Sequence, residues 1–130
     1  MNNFEWENSF PNSCPVYGAT SYKFYDVYRL VKNKSPKENE FYPNNKSSGA
    51  IKNNTDCKRW AVSFFEKYDN ADFIRQTVPY FKNHHIAQGD LLLNFGTSLV
   101  EKDGHICLWR FKNTQISSHF RVIKNEHKYF

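Results

Sequence analysis

One segment of this 130-residue chain is typical of a helix, and the segments on both sides of it are typical of strands. The helical segment is "YDNADFIRQTVPYFKN", in which Asp69 or Asn70 would cap the N-terminus and Pro79 would end regular helix near Val78. One helix is too few for a doubly wound α/β fold. Segments rich in β-branched and aromatic residues predict strands at 22–31, 59–65, 85–93, 97–101, 105–111 and 119–124.

The predicted fold is therefore α+β: a single domain with a curved, mainly antiparallel sheet of about five to six strands, one main helix and a long polar loop. A chain of 130 residues is long enough for one hydrophobic core, so we assign residues 1–130 to one domain. Residues 1–21 are turn-rich and predict an irregular N-terminal arm. Residues 32–58 predict the long loop, and loops of this length are usually mobile or functional.

The formal net charge of +5 and the pI of about 9.1 are compatible with nucleotides, nucleic acid or other anionic partners. The 18 Lys and Arg residues are spread along the chain, with no run longer than two. Dedicated nucleic-acid binders usually concentrate their basic residues. We therefore predict a nucleotide-type small molecule or a protein as partner, and nucleic acid is possible but not favoured.

The three cysteines, Cys14, Cys57 and Cys107, are an odd number, lie far apart and contain no C-x-x-C motif. The opening "MNNFEWENSF" is polar and acidic, without the apolar stretch of a secretory signal. No apolar run approaches membrane-spanning length. These features predict a cytoplasmic protein with reduced thiols in its core and no membrane partner.

The histidines raise the question of a metal site. "HIC" places His105 and Cys107 on one face of a strand, which is possible ligand spacing. His84 and His85 are adjacent and point to opposite faces, so only one of them could serve a given site. No second pair has the spacing of a structural zinc site, and we predict no metal.

Ser63 and Arg29 are the polar residues of two predicted strands. Ser63, in "WAVSFF", lacks the strained turn of a hydrolase nucleophile. It is therefore either a core serine whose hydroxyl hydrogen-bonds the backbone or a residue that hydrogen-bonds a ligand. Arg29, in "DVYRLV", either pairs with Asp26 or Glu40 or faces a cleft and binds phosphate.

Two residues near the predicted hairpin "KDG" complete the candidates. Trp109 is either a core residue or a platform on which a base or nicotinamide stacks. Glu101 is the candidate catalytic residue, because a general acid or base needs a carboxylate near a partner.

Several segments, "SFPNSCP", "VYRLVKNKSP", "CKRWAVSFF", "IAQGDLLL" and "GHICLWRF", resemble in this order a group of small uncharacterised bacterial proteins. That group has a Cys-Pro near the start, a Tyr-Arg-Leu strand followed by a proline, a serine-containing strand before a helix, and a His then a Trp near the end. The resemblance spans most of the chain and implies no established activity.

The order of the motifs is also similar, more distantly, to the ADP-ribosyltransferase-like fold. In that superfamily an Arg or His on an early strand grips NAD, a serine-containing strand precedes a helix, and a late strand supplies a glutamate. The resemblance implies that Arg29 holds the first position and Ser63 the second. The third has no clean match, and Glu101 or Gln88 would have to fill it. Without that glutamate the chain would be a nucleotide-binding or non-catalytic member.

Two functional hypotheses follow. In the first, the protein binds an NAD-type nucleotide, with Arg29 on the phosphates, Ser63 on the ribose side, and His105 and Trp109 lining the cleft; whether it is an enzyme stays open. In the second, it is a non-enzymatic interaction module that binds a protein or nucleic acid through a basic, aromatic surface.

Overall fold

The computed structural model describes residues 14–43 and 56–123. Within these residues the chain forms six strands and one α-helix, joined by short 3-10 turns. In chain order they are β1 (Phe24–Val31), β2 (Val62–Phe65), α1 (Tyr68–Thr77), β3 (His85–Leu91), β4 (Gly96–Val100), β5 (His105–Arg110) and β6 (Phe120–Val122).

The strands form one open sheet in the order β4-β5-β2-β1-β3-β6, and every neighbouring pair is antiparallel. The predicted α+β class is confirmed: one helix packs on a six-stranded antiparallel sheet in a single small domain. None of the helices in the described ranges has the length and apolar composition that crossing a membrane requires.

The larger hydrophobic core covers one face of this sheet, which we call the core face. Alternate residues of β2 and β5, such as Phe64 and Leu108, point into it. Phe41, from the segment that follows β1, is fully buried there and packs against the rings of Phe64 and Phe120. Part of the long polar segment therefore belongs to the core.

The opposite face, which we call the helix face, is covered by two different segments. Helix α1 packs on one part of it, where Leu30, Ala71 and Ile86 are buried. The arm around Val16 and the segment around Trp60 pack on another part, over Cys107 and Trp109. Both faces of the central strands are thus covered, so both sets of alternating residues are mostly apolar, with Arg29 and Ser63 as polar exceptions.

The predicted reduced state is wrong for two of the three cysteines. Cys14 and Cys57 form a disulfide, although 43 positions separate them. Cys14 belongs to the N-terminal arm, which packs against Trp109. Cys57 packs against the same cluster, so the two cysteines meet there. Disulfides are typical of oxidising compartments. The disulfide argues against the predicted cytoplasmic location, which stays a prediction.

The first residue of helix α1 is Tyr68, so the helix begins before both predicted cap residues, Asp69 and Asn70. Lys67 is the N-cap residue and makes no side-chain capping bond. The ring of Tyr68 instead packs edge-on against Tyr28 of β1, with 6.0 Å between centroids. The helix ends at Thr77, two residues before Pro79, as predicted.

Much of the predicted arm and loop, residues 1–13 and 44–55, lies outside the described residues. In the described part of the loop, Glu40 accepts hydrogen bonds from the backbone of Lys37 and from the backbone and side chain of Asn33. These bonds hold the pKa of Glu40 below its usual range against the opposing effect of burial. The start of this loop is therefore held by hydrogen bonds to the Glu40 carboxylate.

Candidate functional site

The predicted ligand-binding residues lie on two faces of the sheet. Ser63 alternates with Val62 and Phe64, which point into the core face, so its side chain points to the helix face. Arg29 lies between Val27 and Val31, which also belong to the core face. The predicted cleft required both side chains on one concave surface, and that requirement is not met.

The contacts of Arg29 are internal. Its Nε donates to the carbonyl oxygen of Glu40 at 2.8 Å, and Nη1 donates to the carbonyl oxygen of Ser63 at 2.7 Å. The guanidinium carbon is 5.6 Å from the ring centroids of both Phe41 and Phe64. Burial, with a smaller effect of nearby Arg110, lowers the pKa of Arg29 to about 10, and Glu40 opposes this shift. Arg29 thus ties the loop to β2.

Trp109 is also internal. Its side chain is fully buried, and Nε1 donates to the carbonyl oxygen of Cys57 at 3.0 Å. The indole therefore packs beneath the disulfide-bonded segment and offers no open face on which a base could stack.

Glu101 and His105, by contrast, are brought together by the predicted hairpin. Oε1 of Glu101 is 2.8 Å from Nδ1 of His105, and Lys58 forms an ion pair with the other carboxylate oxygen. Lys58 is the largest cause that holds the pKa of Glu101 below its usual range, and His105 adds to it. Gln88, the alternative to Glu101, lies on β3 and donates to the hydroxyl of Tyr28. Strands β1 and β2 separate it from this group.

Cys107 lies next to His105 on the same face, with its sulfur 3.9 Å from Nδ1. It is 1% exposed, and burial raises the pKa of its thiol to about 11. The thiol is therefore neutral at pH 7 and unsuited to act as a nucleophile. Ser63 is its partner in the neighbouring strand β2.

A different region combines exposed aromatic and basic side chains. The ring of Tyr80, in the 3-10 turn after α1, is 64% exposed. It contacts Phe81 and His84 with centroid distances of 4.9 and 5.3 Å. The ammonium of Lys32, at the end of β1, lies 5.5 Å from the Tyr80 centroid. We call Lys32, Tyr80, Phe81, Lys82 and His84 the Tyr80 surface.

A shallow groove of about 620 Å³ adjoins this surface. It is lined by Pro79 and Lys82, on either side of Tyr80 and Phe81 in the chain, and by Asp72, Arg75, Gln76 and Thr77 of α1. Asp72 forms an ion pair with Arg75 at 2.8 Å. The groove thus lies at the end of the helix, and Lys82 and an Asp72–Arg75 ion pair are among its lining residues.

More lysines follow in the loop beyond Lys32. Lys34 and Lys37 are exposed, and Glu40 of the same loop accepts hydrogen bonds from backbone N–H groups. Of the basic residues that are spread along the sequence, the fold brings Lys32 to Tyr80.

The histidine of the Tyr80 surface gives a pH prediction. Burial, and secondarily the positive charge of Lys32, lowers the pKa of His84. The unfolded chain binds a proton near pH 6.5 and the folded protein only at lower pH, so stability decreases as pH falls through 6.5. We expect His84→Gln to lose less stability than the wild type between pH 7.5 and pH 5, measured by urea unfolding. Equal losses in both proteins would contradict the shift.

Tyr80 is not among the residues predicted from the sequence, because Pro79 marks its segment only as the end of a helix. A usable signal was present: "PYFKNHH" places two aromatic residues, a lysine and two histidines within seven positions. Lys32 carried no local signal, since only the fold brings it to Tyr80.

Comparison of the chain with protein-family models, curated proteins and solved structures found no match, so the site is interpreted from its own geometry.

Proposed function

We propose that the protein is a binding module for single-stranded nucleic acid and that the Tyr80 surface is its binding site. The observation that carries the proposal is an exposed tyrosine ring that contacts a lysine ammonium and two other aromatic rings. Surfaces that bind single strands pair aromatic platforms for bases with basic groups for the backbone.

Each part of the surface has a role. Tyr80 would stack on a base, while Phe81 and His84 fix the position of its ring. Lys32 and Lys82 would contact phosphates on either side of that base, with release of counterions. Lysine-rich surfaces fit a polyanion better than a protein, since lysine is depleted in protein interfaces.

The nucleotide hypothesis loses its main support. It assigned the phosphates to Arg29, whose guanidinium donates to the carbonyl groups of Glu40 and Ser63 and lies on the other face of the sheet from the Ser63 side chain. It assigned stacking to Trp109, which is fully buried. The interaction-module hypothesis needs neither residue.

Fluorescence anisotropy tests the proposal. A labelled single strand of about 12 nucleotides, as RNA and as DNA, is titrated at low salt with wild type and with Tyr80→Ala. We expect Tyr80→Ala to weaken binding roughly 5- to 150-fold, the equivalent of about 1–3 kcal/mol for one stacked base. The double variant Lys32→Ala/Lys82→Ala should reduce the slope of log K against log salt by about 1.4, or about 0.7 for each lost phosphate contact.

The chain contains a matched control. The ammonium of Lys23 lies 5.1 Å from the centroid of Tyr25, whose ring is 65% exposed, near the other end of β1. Two carboxylates lie near this second pair. Asp26 follows Tyr25 in the chain, and the backbone N–H of Asp26 donates to the carboxylate of Asp90. Tyr25→Ala and Lys23→Ala should leave binding within about twofold.

A strand without bases separates stacking from simple charge attraction. If an abasic phosphodiester of the same length binds as tightly as the complete strand, Tyr80 does not stack on a base and the proposal is wrong. Binding that Tyr25→Ala weakens as much as Tyr80→Ala, or no binding at low salt, would also overturn it.

A further inference from the structure

Three side chains of different chemistry bring metal-ligating atoms together on the helix face. The ligand atoms of Glu101, His105 and Cys107 all lie within 4.8 Å of one another. Nδ1 of His105 is 2.8 Å from Oε1 of Glu101 and 3.9 Å from Sγ of Cys107. In a tetrahedral zinc site, bonds of about 2.0–2.3 Å hold ligand atoms roughly 3.3–3.8 Å apart. Shifts of about 1 Å or less would therefore bring the three atoms to that spacing.

The backbone of one hairpin holds these residues in place. The backbone N–H of Glu101 donates to the carbonyl oxygen of His105 at 2.8 Å, and that of Gly104 donates to Glu101 at 3.0 Å. Gly104 has a φ of 86°, which suits glycine and closes the turn tightly. His105 and Cys107 are two residues apart on β5 and so share a face. The three ligands are therefore positioned before any ion binds.

We propose that Glu101, His105 and Cys107 form a binding site for a divalent transition-metal ion, with zinc as the ion that fits best. Thiolate, imidazole and carboxylate are the three ligand types that zinc accepts together. The two anionic ligands balance the charge of the ion, and the thiol proton passes to solvent when the sulfur binds. Three protein ligands leave the fourth tetrahedral position to a water molecule.

Lys58 sets the strength of this site. Its ammonium forms an ion pair with Glu101, so a metal ion and Lys58 compete for the same carboxylate. The Lys58 side chain is 51% exposed and free to turn toward solvent when an ion binds. Removal of the ammonium should therefore strengthen metal binding, whereas removal of any ligand should weaken it.

The proposal is independent of the nucleic-acid proposal, and metal titration tests it. The untagged protein is titrated with Co²⁺, whose bond to a thiolate gives a charge-transfer absorption band, and Zn²⁺ is then added in competition. We expect a saturable band at one ion per chain that Zn²⁺ abolishes. His105→Ala and Glu101→Gln should each weaken Zn²⁺ binding by at least about tenfold, since changes beyond the ligands already cause losses of this size.

Two further variants sharpen the test. Lys58→Met should bind Zn²⁺ at least about threefold more tightly, and His119→Ala, at an exposed histidine on another part of the surface, should match the wild type. Both ligand variants change partly exposed side chains, so thermal melting can verify that they fold. Absence of the charge-transfer band, or equal affinity in His105→Ala and wild type, would overturn the proposal.

Discussion

Arg29→Ala is expected to lower the free energy of unfolding by about 2–5 kcal/mol. The substitution leaves the carbonyl groups of Glu40 and Ser63 without their donor, and each partly buried acceptor costs about 1–3 kcal/mol. It also removes a cation that lies 5.6 Å from the ring centroids of both Phe41 and Phe64. Urea unfolding with a fixed m-value measures the change, and the melting temperature should fall by about 10 °C.

The matched control for this substitution is Arg121→Ala, which removes an exposed arginine from β6. Its effect should stay within about 0.5 kcal/mol. Arg29→Lys should be nearly as harmful as Arg29→Ala, because an ammonium cannot reproduce the two directed bonds of a planar guanidinium. An unchanged stability in Arg29→Ala would contradict the structural role and return Arg29 to the candidates for phosphate binding.

Loss of the Cys14–Cys57 disulfide should destabilise the protein by about 4 kcal/mol, the chain-entropy value for a loop closed over 43 residues. The physical reason is that the cross-link restricts the unfolded chain and so reduces the entropy gained on unfolding. Cys14→Ser/Cys57→Ser should therefore unfold at lower denaturant concentration than the oxidised wild type.

A reducing agent provides the internal control for this prediction. It should lower the melting temperature of the wild type to that of the double serine variant, and it should leave the variant unchanged. Thiol counting by mass spectrometry after alkylation in denaturant should give one free thiol, Cys107, in the oxidised protein. Three free thiols in protein purified without reductant, together with an unchanged melting temperature, would contradict the disulfide.

The sequence was sufficient to predict the elements, because their signals are local. The strand predicted at 105–111 is observed as β5, and its alternation places Ile106 and Leu108 on one face and Cys107 and Trp109 on the other. Pro79 marked the end of the helix correctly. Such signals depend on residues a few positions apart and need no knowledge of the rest of the fold.

The arrangement of the site could not be predicted in the same way. Arg29 and Ser63 lie in different strands, and each strand has its own alternation, so their relative faces depend on how β1 and β2 pair. Both faces of β1 are covered, so both alternating sets contain apolar residues and the usual contrast between an apolar set and a polar set is missing.

Long-range contacts account for the other differences. Lys32 meets Tyr80 across 48 positions and Cys14 meets Cys57 across 43, and neither pair has a local pattern. The sequence placed His105 and Cys107 on one face of a strand, but only the hairpin geometry brings Glu101 to them.

The most direct test of the central claim is an NMR titration of the ¹⁵N-labelled protein with the unlabelled single strand. We expect the largest changes in amide chemical shift in residues 79–84 and in the loop that begins at Lys32. Residues 22–26, with the matched Tyr25 and Lys23 pair about 24 Å away along β1, should change little. Shifts centred on residues 22–26, or spread evenly over the sheet, would contradict the assignment of the Tyr80 surface as the binding site.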